Sequence, residues 1–422
     1  MTCASTSTHT RSPSAHLNLG EKMQLSVFIS LLPLALSSPA VTKREEPAPF
    51  LVSRSENRIE NNYIVKLRKG SSLDVLDNIV AQLGVKPQHE YRGIFRGFAS
   101  QLDTKAVNML RLHPEVDYIE QDNTVVAEGY VTQEGSTWGL GRISHRKQGI
   151  DEYTYDASGH GAGVCAYVID SGIELDHPEF EGRAEMINYW TGDNHLDTCG
   201  HGTHVAGTIG SKTYGVAKKV QLLGMKVLKK NETSGHCSGS SANIIAAINS
   251  VVDDAKSRNC PNGVVVNMSL GGDPMQAKND ATAALVAEGV FVAVAAGNDN
   301  ANASTHSPGN TPEACTVGGT AEDDTRYKNS NWGPLVDILA PAVKVLSTYL
   351  NGTTKALTGT SMATPHIAGL AAYLASKDDI VAGPEMCDRL REAATQNAIT
   401  NNRADTVNLL AFNANPDGED ED

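Results

Sequence analysis

The stretch Val164-Cys165-Ala166-Tyr167-Val168-Ile169-Asp170-Ser171-Gly172 orders the rest of the chain. Its six consecutive apolar residues, bounded by Asp-Ser-Gly, predict a short strand covered on both faces and ending in a turn. Similar runs recur at Gln221–Val227, Val264–Met268 and Val290–Ala296, while Ser241–Ala255 and Ala277–Ala287 carry helical apolar spacing between them. Strand-helix alternation from Gly163 onward predicts a doubly wound α/β domain with a parallel sheet. The crevice of such a sheet lies at the carboxyl ends of its strands, where Asp170 stands.

The chain has 422 residues, 40% of them hydrophobic and 20% charged, which suits one large and one small domain. With 35 Lys plus Arg against 49 Asp plus Glu, the formal charge of -14 argues against nucleic acid as a partner. Residues 1–40 read as an N-terminal extension followed by a secretory signal over 23–40, because Met23–Leu36 is apolar and Ser38-Pro39-Ala40 supplies a small-residue cleavage site. Met23 is then an alternative initiator. No other segment is apolar for long enough to span a bilayer, so no membrane association is expected. Cys3 precedes the signal, and the other six cysteines of an exported protein imply three disulfides whose pairing composition leaves open. Gly418–Asp422 reads as a solvated acidic tail.

Residues 61–126 form a unit of their own. Asn62–Leu67 and Ile94–Leu102 alternate as strands, Ser72–Leu83 and Thr104–Leu112 have helical spacing, and Val116–Glu120 closes a β-α-β-α-β order with room for one more strand. A small ferredoxin-like α+β sandwich is expected.

Three polar residues stand among small neighbours in the order Asp170, His201, Ser361. Taken singly, each has an ordinary structural reading: a turn aspartate, a loop histidine and a helix N-cap serine. Together they supply what nucleophilic catalysis requires, namely a hydroxyl, a base and a carboxylate that fixes the base's tautomer. Gly200 and Gly202 would let substrate approach His201, and Ser361 begins a helix whose apolar face is Ile367, Leu370, Ala371 and Leu374, with Pro365 in its first turn. The helix N-terminus favours the negative charge that develops on an attacked carbonyl. Asn298, after the apolar run Val294-Ala295-Ala296-Gly297, is a candidate oxyanion donor. Cys199, His201 and His204 could also be read as a zinc cluster, yet no second ligand group follows, and His204 is expected to be structural.

These residues together resemble the subtilases, and closely the proteinase K-like group of secreted fungal subtilisins, over nearly all of residues 58–413. The resemblance rests on Val168–Gly172, His201–Gly207, Ser269-Leu270-Gly271-Gly272, Ala295–Asn298 and Gly359–Pro365. It implies a subtilisin-like fold, a triad of Asp170, His201 and Ser361, and Asn298 in the oxyanion hole. It further implies that Ser269, Leu270 and Gly271 form one edge pairing with substrate backbone and Ser234, Gly235 and His236 the opposite edge. Ala295, Gly297 and the stretch Asn302–Pro308 would line the primary pocket; that stretch holds no acidic residue, so broad cleavage after apolar or aromatic residues is expected.

By the same resemblance, residues 41–130 are an inhibitory and chaperoning propeptide, residues 131–422 are the peptidase with its tail, and the chain cuts itself near Tyr130-Val131. Family disulfides suggest Cys165 with Cys260 and Cys315 with Cys387, which leaves Cys199 with Cys237. Many relatives carry a cysteine after the second histidine of the motif; Val205 stands there, so thiol reagents should not act through that position. Backbone carbonyls of Pro312 and Ala314 with the Asp337 carboxylate would hold a structural calcium ion, and catalysis needs no cofactor. Asn231, Asn302 and Asn351 are glycosylation candidates, whereas Asn267, within an apolar run, is expected to be unmodified.

The sequence therefore predicts a monomeric, secreted serine endopeptidase made as a self-processing zymogen, with polypeptide substrates and its own propeptide as inhibitor. Its rivals are a vacuolar protease of cerevisin type, a zinc hydrolase and an inactive binding protein on the same fold. A kexin-like role is disfavoured because too little chain follows Asn413 for that group's additional β domain.

Overall fold

A computed structural model describes residues 44, 46–52, 58–124 and 129–418. The expected extension and signal peptide and the last four residues of the acidic tail lie outside them.

The N-terminal unit has the order strand Arg58–Leu67, helix Leu73–Leu83, strands His89–Arg92 and Arg96–Gln101, helix Thr104–Arg111 and strand Val116–Asn123. These four strands lie in the sheet order fourth, first, third, second, the ferredoxin-like arrangement, and a short segment at Phe50–Leu51 extends the outer edge. The additional strand is His89–Arg92, paired antiparallel with Arg96–Gln101. Ile94, expected in a strand, is instead fully exposed in the turn between these two. Val65, Leu67, Leu76, Ile79, Phe98, Leu110 and Ile119 make a core separate from that of the larger domain.

The larger domain is built on a nine-stranded sheet. Cys165–Asp170 lies inside it, flanked by Gln221–Lys226 on one side and Val264–Met268 on the other, both parallel to it. The sheet continues outward from Val264–Met268 through Phe291–Ala295, Cys315–Thr320 and Ile338–Pro341. The chain thus changes direction around Cys165–Asp170, and the crevice of a doubly wound sheet opens at such a point.

Alternation along the strands divides the core into two layers. Ala166, Val168, Leu222, Val265 and Ala293 pack with helices His201–Gly210 and Thr360–Lys377. Tyr167, Ile169, Leu223, Val266 and Val292 face helices Ser241–Lys256 and Gln276–Ala287. Thr360–Lys377 is buried on nearly every side through Ala375, as its apolar composition requires. Three disulfides join Cys165 to Cys260, Cys199 to Cys237 and Cys315 to Cys387, with Cα separations of 5.6, 6.1 and 5.7 Å.

Candidate active site

Asp170 ends its strand at this crevice and is fully buried. Oδ1 accepts the Ser171 N–H at 2.7 Å, and Oδ1 and Oδ2 lie 2.8 and 2.9 Å from His201 Nδ1. This pairing places a proton on Nδ1 and leaves Nε2 of the neutral ring as a base.

His201 is the first residue of its helix. Gly200 before it has φ 78°, and a Cβ there would collide with the Tyr349 ring; a Cβ on Gly202 would strike the Gly172 carbonyl. The flanking glycines therefore let the helix end approach both the Asp170 turn and Tyr349. The imidazole is 27% exposed. Burial disfavours its charged form, but the charge and hydrogen bond of Asp170 and the charge of Asp197 outweigh burial and raise its pKa.

Asp197 was not singled out by the sequence. It is buried and accepts hydrogen bonds from the N–H groups of Cys199, Gly200 and Thr203 and from the hydroxyls of Thr203 and Ser171, at 2.7 to 3.0 Å. Ser171 Oγ accepts from Gly202 N–H at 2.9 Å. The loop entering His201 is thus wound around one carboxylate, whose pKa burial raises against the pull of these donors. Nothing in Asn194-His195-Leu196-Asp197-Thr198-Cys199 marks this role, because a polar loop has no periodicity to read.

Ser361 is half-exposed in the otherwise buried stretch Thr360–Ala375. The helix starts at Thr360, so Pro365 falls in its second turn rather than its first. A proline there supplies no N–H to the carbonyl four residues back, which is that of Ser361. Ser269 Oγ donates to this carbonyl at 2.8 Å, and Ser361 Oγ in return donates to Ser269 O at 3.2 Å. Among the described residues no hydrogen bond joins Ser361 to His201; such bonds often form only when substrate is bound.

Asn298 is anchored through its oxygen, which accepts from Thr360 N–H at 2.8 Å and Thr360 Oγ1 at 3.2 Å. Its amide nitrogen is thereby left available as a donor beside Ser361. Asn331, a second residue the sequence did not flag, is buried and braces this loop: Oδ1 accepts from Asp299 and Ala301 N–H at 3.0 Å, and Nδ2 donates to Ala296 O at 2.9 Å.

A groove of about 800 Å³ runs past His201, Ser269, Leu270 and Gly271. Its second wall differs from expectation. Ser234, Gly235 and His236 lie at the exposed tip of a hairpin formed by Lys229–Lys230 and Cys237–Ser238, and the groove is lined by Cys237, Ser238 and Gly239. The cause is local: Asn231 Oδ1 accepts the N–H groups of Thr233 and Ser234 and closes the turn early, while the bond to Cys199 holds Cys237 toward the histidine loop. The His306 ring sits between the backbones of Gly271 and Gly297, where a Cβ on either glycine would strike it. Asp299 is 3.9 Å from His306 Nδ1.

The zinc reading finds no geometry to support it. Cys199 is bonded to Cys237, and His204 is buried with Nε2 3.0 Å from the carbonyls of Val345 and Lys355. Burial lowers the His204 pKa to about 4, so this ring is neutral at ordinary pH. Asp337 does fit a hard cation. Burial raises its pKa to about 6, with the Thr316 N–H, 2.8 Å away, opposing the shift; neighbouring Cys315 and Cys387 are consumed by their own disulfide. A desolvated carboxylate held by a protein N–H on one oxygen suits an oxygen-seeking ion such as calcium. Among the glycosylation candidates Asn231 and Asn351 are exposed and Asn302 is half-buried, while Asn267 is fully buried.

Comparison with known proteins places these features in a family. Residues 159–412 match the subtilase family and residues 62–128 the peptidase inhibitor I9 family. A cuticle-degrading protease of Metarhizium anisopliae is 48% identical over 392 residues, covering 93% of this chain and 100% of that protein. Proteinase R of Parengyodontium album is 48% identical over 394 residues, covering 93% and 99% respectively. Among solved structures, a cold adapted subtilisin-like serine proteinase is 39% identical with a TM-score of 0.60, covering 66% of this chain and 99% of its own.

Proposed function

The chain belongs to the subtilase family and is a serine endopeptidase with an I9-type inhibitor domain, and from that premise we propose that Asp170, His201 and Ser361 are its catalytic triad. The observation that carries this reading is the twofold approach of the buried Asp170 carboxylate to His201 Nδ1, at the strand end where Ser361 emerges from a buried helix. His201 Nε2 takes the Ser361 proton as Oγ attacks the scissile carbonyl carbon. The resulting oxyanion receives the Asn298 amide and the Ser361 N–H; the proton then passes to the departing amine, the C–N bond breaks, and water hydrolyses the acyl-enzyme by the reverse path. Stoichiometric labelling of Ser361 by a phosphonyl fluoride, with loss of casein hydrolysis in Ser361→Ala, is the expected result. Full activity in that variant would sink the assignment.

Substrate backbone pairs with Ser269–Gly271, and the side chain before the cut enters the slot bounded by Ala295, Gly297 and His306. Apolar and aromatic residues suit this slot, since the stretch Asn302–Pro308 has no carboxylate. Pro312, Ala314 and Asp337 would hold a calcium ion, whose charge would offset that of the desolvated Asp337 carboxylate and steady the fold. Residues 41–130 are removed by cleavage near Tyr130-Val131. That bond lies in the strand Tyr130–Gln133, paired with Tyr153–Asp156; Asp156 N–H donates to Tyr373 Oη, which is twelve helical residues, or about 18 Å, beyond Ser361. Self-cleavage therefore precedes docking of this strand. The product is a secreted monomer, in keeping with three disulfides. Among the described residues no helix is long and apolar enough to cross a membrane. Activity in culture medium rather than in washed vacuoles separates this reading from the vacuolar one.

A further inference from the structure

The groove that passes His201 is also lined by Met275 and Lys278. This lysine is 3% exposed, and among the described residues its ammonium has no hydrogen-bond or ion-pair partner. Its position is unfavourable for a cation in a second respect. Lys278 is the third residue of helix Gln276–Ala287, where the helix dipole is positive, and Met275 before the helix provides no side-chain cap. The ammonium is open to the groove rather than sealed in the core. Burial pushes the Lys278 pKa down, and only the charge of Asp273 opposes it. Asp273 is itself exposed at the groove's mouth and makes no ion pair with it. The other titratable group in electrostatic reach is His306, which Lys278 disfavours in its charged form. Leu270, Ile244 and Met275 contribute apolar surface to the same groove.

We propose that Lys278 and the uncapped first turn of its helix form a subsite for a carboxylate, so that this protease prefers substrates with Glu or Asp upstream of the cut. The inference rests on the proposed use of Ser269–Gly271 as the backbone-pairing edge. In an extended peptide, alternate side chains share a face and lie about 7 Å apart. With the second residue before the cut placed over His201 by the proposed pairing, the fourth would face the same groove, which Lys278 also lines. A carboxylate there gains a charge-assisted bond in a partly dry site and gives the ammonium the partner the fold withholds. A lysine kept only to pack its methylene chain would need no opposite charge and would confer no such preference.

The test uses three internally quenched peptides that differ only at the fourth residue before a single cleavable bond, Glu, Leu or Lys, with the cut position checked by mass spectrometry. For the mature wild-type enzyme, kcat/KM for the Glu peptide should exceed that for the Lys peptide at least about tenfold, an advantage that shrinks with added salt. Lys278→Met should reverse the order of Glu and Leu, raising cleavage of the Leu peptide while lowering that of the Glu peptide. Equal rates for Glu and Lys in the wild type, or an unchanged Glu-to-Leu ratio in Lys278→Met, overturn the subsite. Those outcomes leave the protease reading standing if Ser361 is labelled and the Leu peptide is cut; failure to cut any peptide, with no labelling of Ser361, strikes the protease reading itself.

Discussion

The two halves of the candidate active site are held in opposite ways. His201 opens a helix whose entering loop is organised by polar contacts: Asp197 gathers five hydrogen bonds, and the buried ammonium of Lys226 reaches Asp193 at 3.0 Å and the Leu196 carbonyl at 2.7 Å. Ser361 sits on a helix held by apolar packing from Met362 to Ala375. Polar anchorage fixes direction, which a base needs, but concentrates the dependence in a few protonatable groups. Apolar burial fixes position and spreads the dependence over many side chains, of which only a few, such as His366, titrate.

The largest expected effect tests the polar half at its functional end. Asp170→Asn should reduce kcat about 10⁴-fold, since an amide no longer enforces the His201 tautomer, with thermal unfolding little altered. Comparable activity in that variant would remove Asp170 from the mechanism. On the apolar half, Ile367→Ala in a Ser361→Ala background, which prevents autolysis, should cost about 2–5 kcal/mol in urea unfolding. The same substitution in the active enzyme should change kcat/KM only a few-fold. A large catalytic loss without lost stability would abolish the contrast.

Asp197→Asn separates orientation from packing. It keeps the volume but turns an NH₂ toward donors, and a loss of about 10- to 100-fold in kcat is expected. Because Asp197 helps to raise the His201 pKa, the acid limb of kcat/KM should also move to lower pH, a shift that mere loosening of the loop would not produce. Acid should act on stability through the buried histidines. Burial lowers the pKa of His204 and His366 to about 4, so between about pH 6.5 and 4 the unfolded chain binds more protons and stability falls as pH falls. His201, with its raised pKa, acts in the opposite sense and loses its contribution as pH rises. Melting of Ser361→Ala from pH 7 to 4 measures the sum, and a flat curve would contradict it. The smallest effect concerns calcium. The gain in melting temperature on adding calcium should fade below about pH 6, where Asp337 takes up a proton, and should vanish in Asp337→Asn.

The division also explains what the sequence made legible. Val264–Met268 is a strand over the residues its composition indicates, and helix Ser241–Lys256 exceeds its expected span by one residue, because apolar periodicity records burial directly. Asp170, His201 and Ser361 were visible through the small residues that give them room. Asp197 and Asn331 were not, since their roles are to satisfy backbone N–H groups brought together only by folding. The groove's second wall has a similar origin: the family resemblance points to Ser234–His236, but the turn closed by Asn231 decides which residues reach the groove. Lys278 was hidden within a helix read correctly from its apolar neighbours, where a single cation does not disturb the period.

The reciprocal bonds between Ser269 and Ser361 have a mechanical consequence. Each residue uses its hydroxyl to hold the other's carbonyl, so the proposed ledge for a peptide and the proposed nucleophile are clamped as one piece. A peptide paired with Ser269 in the proposed mode would compete, through its N–H, for the carbonyl on which the Ser361 hydroxyl rests. On that reading a bound peptide would weaken the hold on the Ser361 hydroxyl, whereas a chain that does not lie along the ledge would leave it in place.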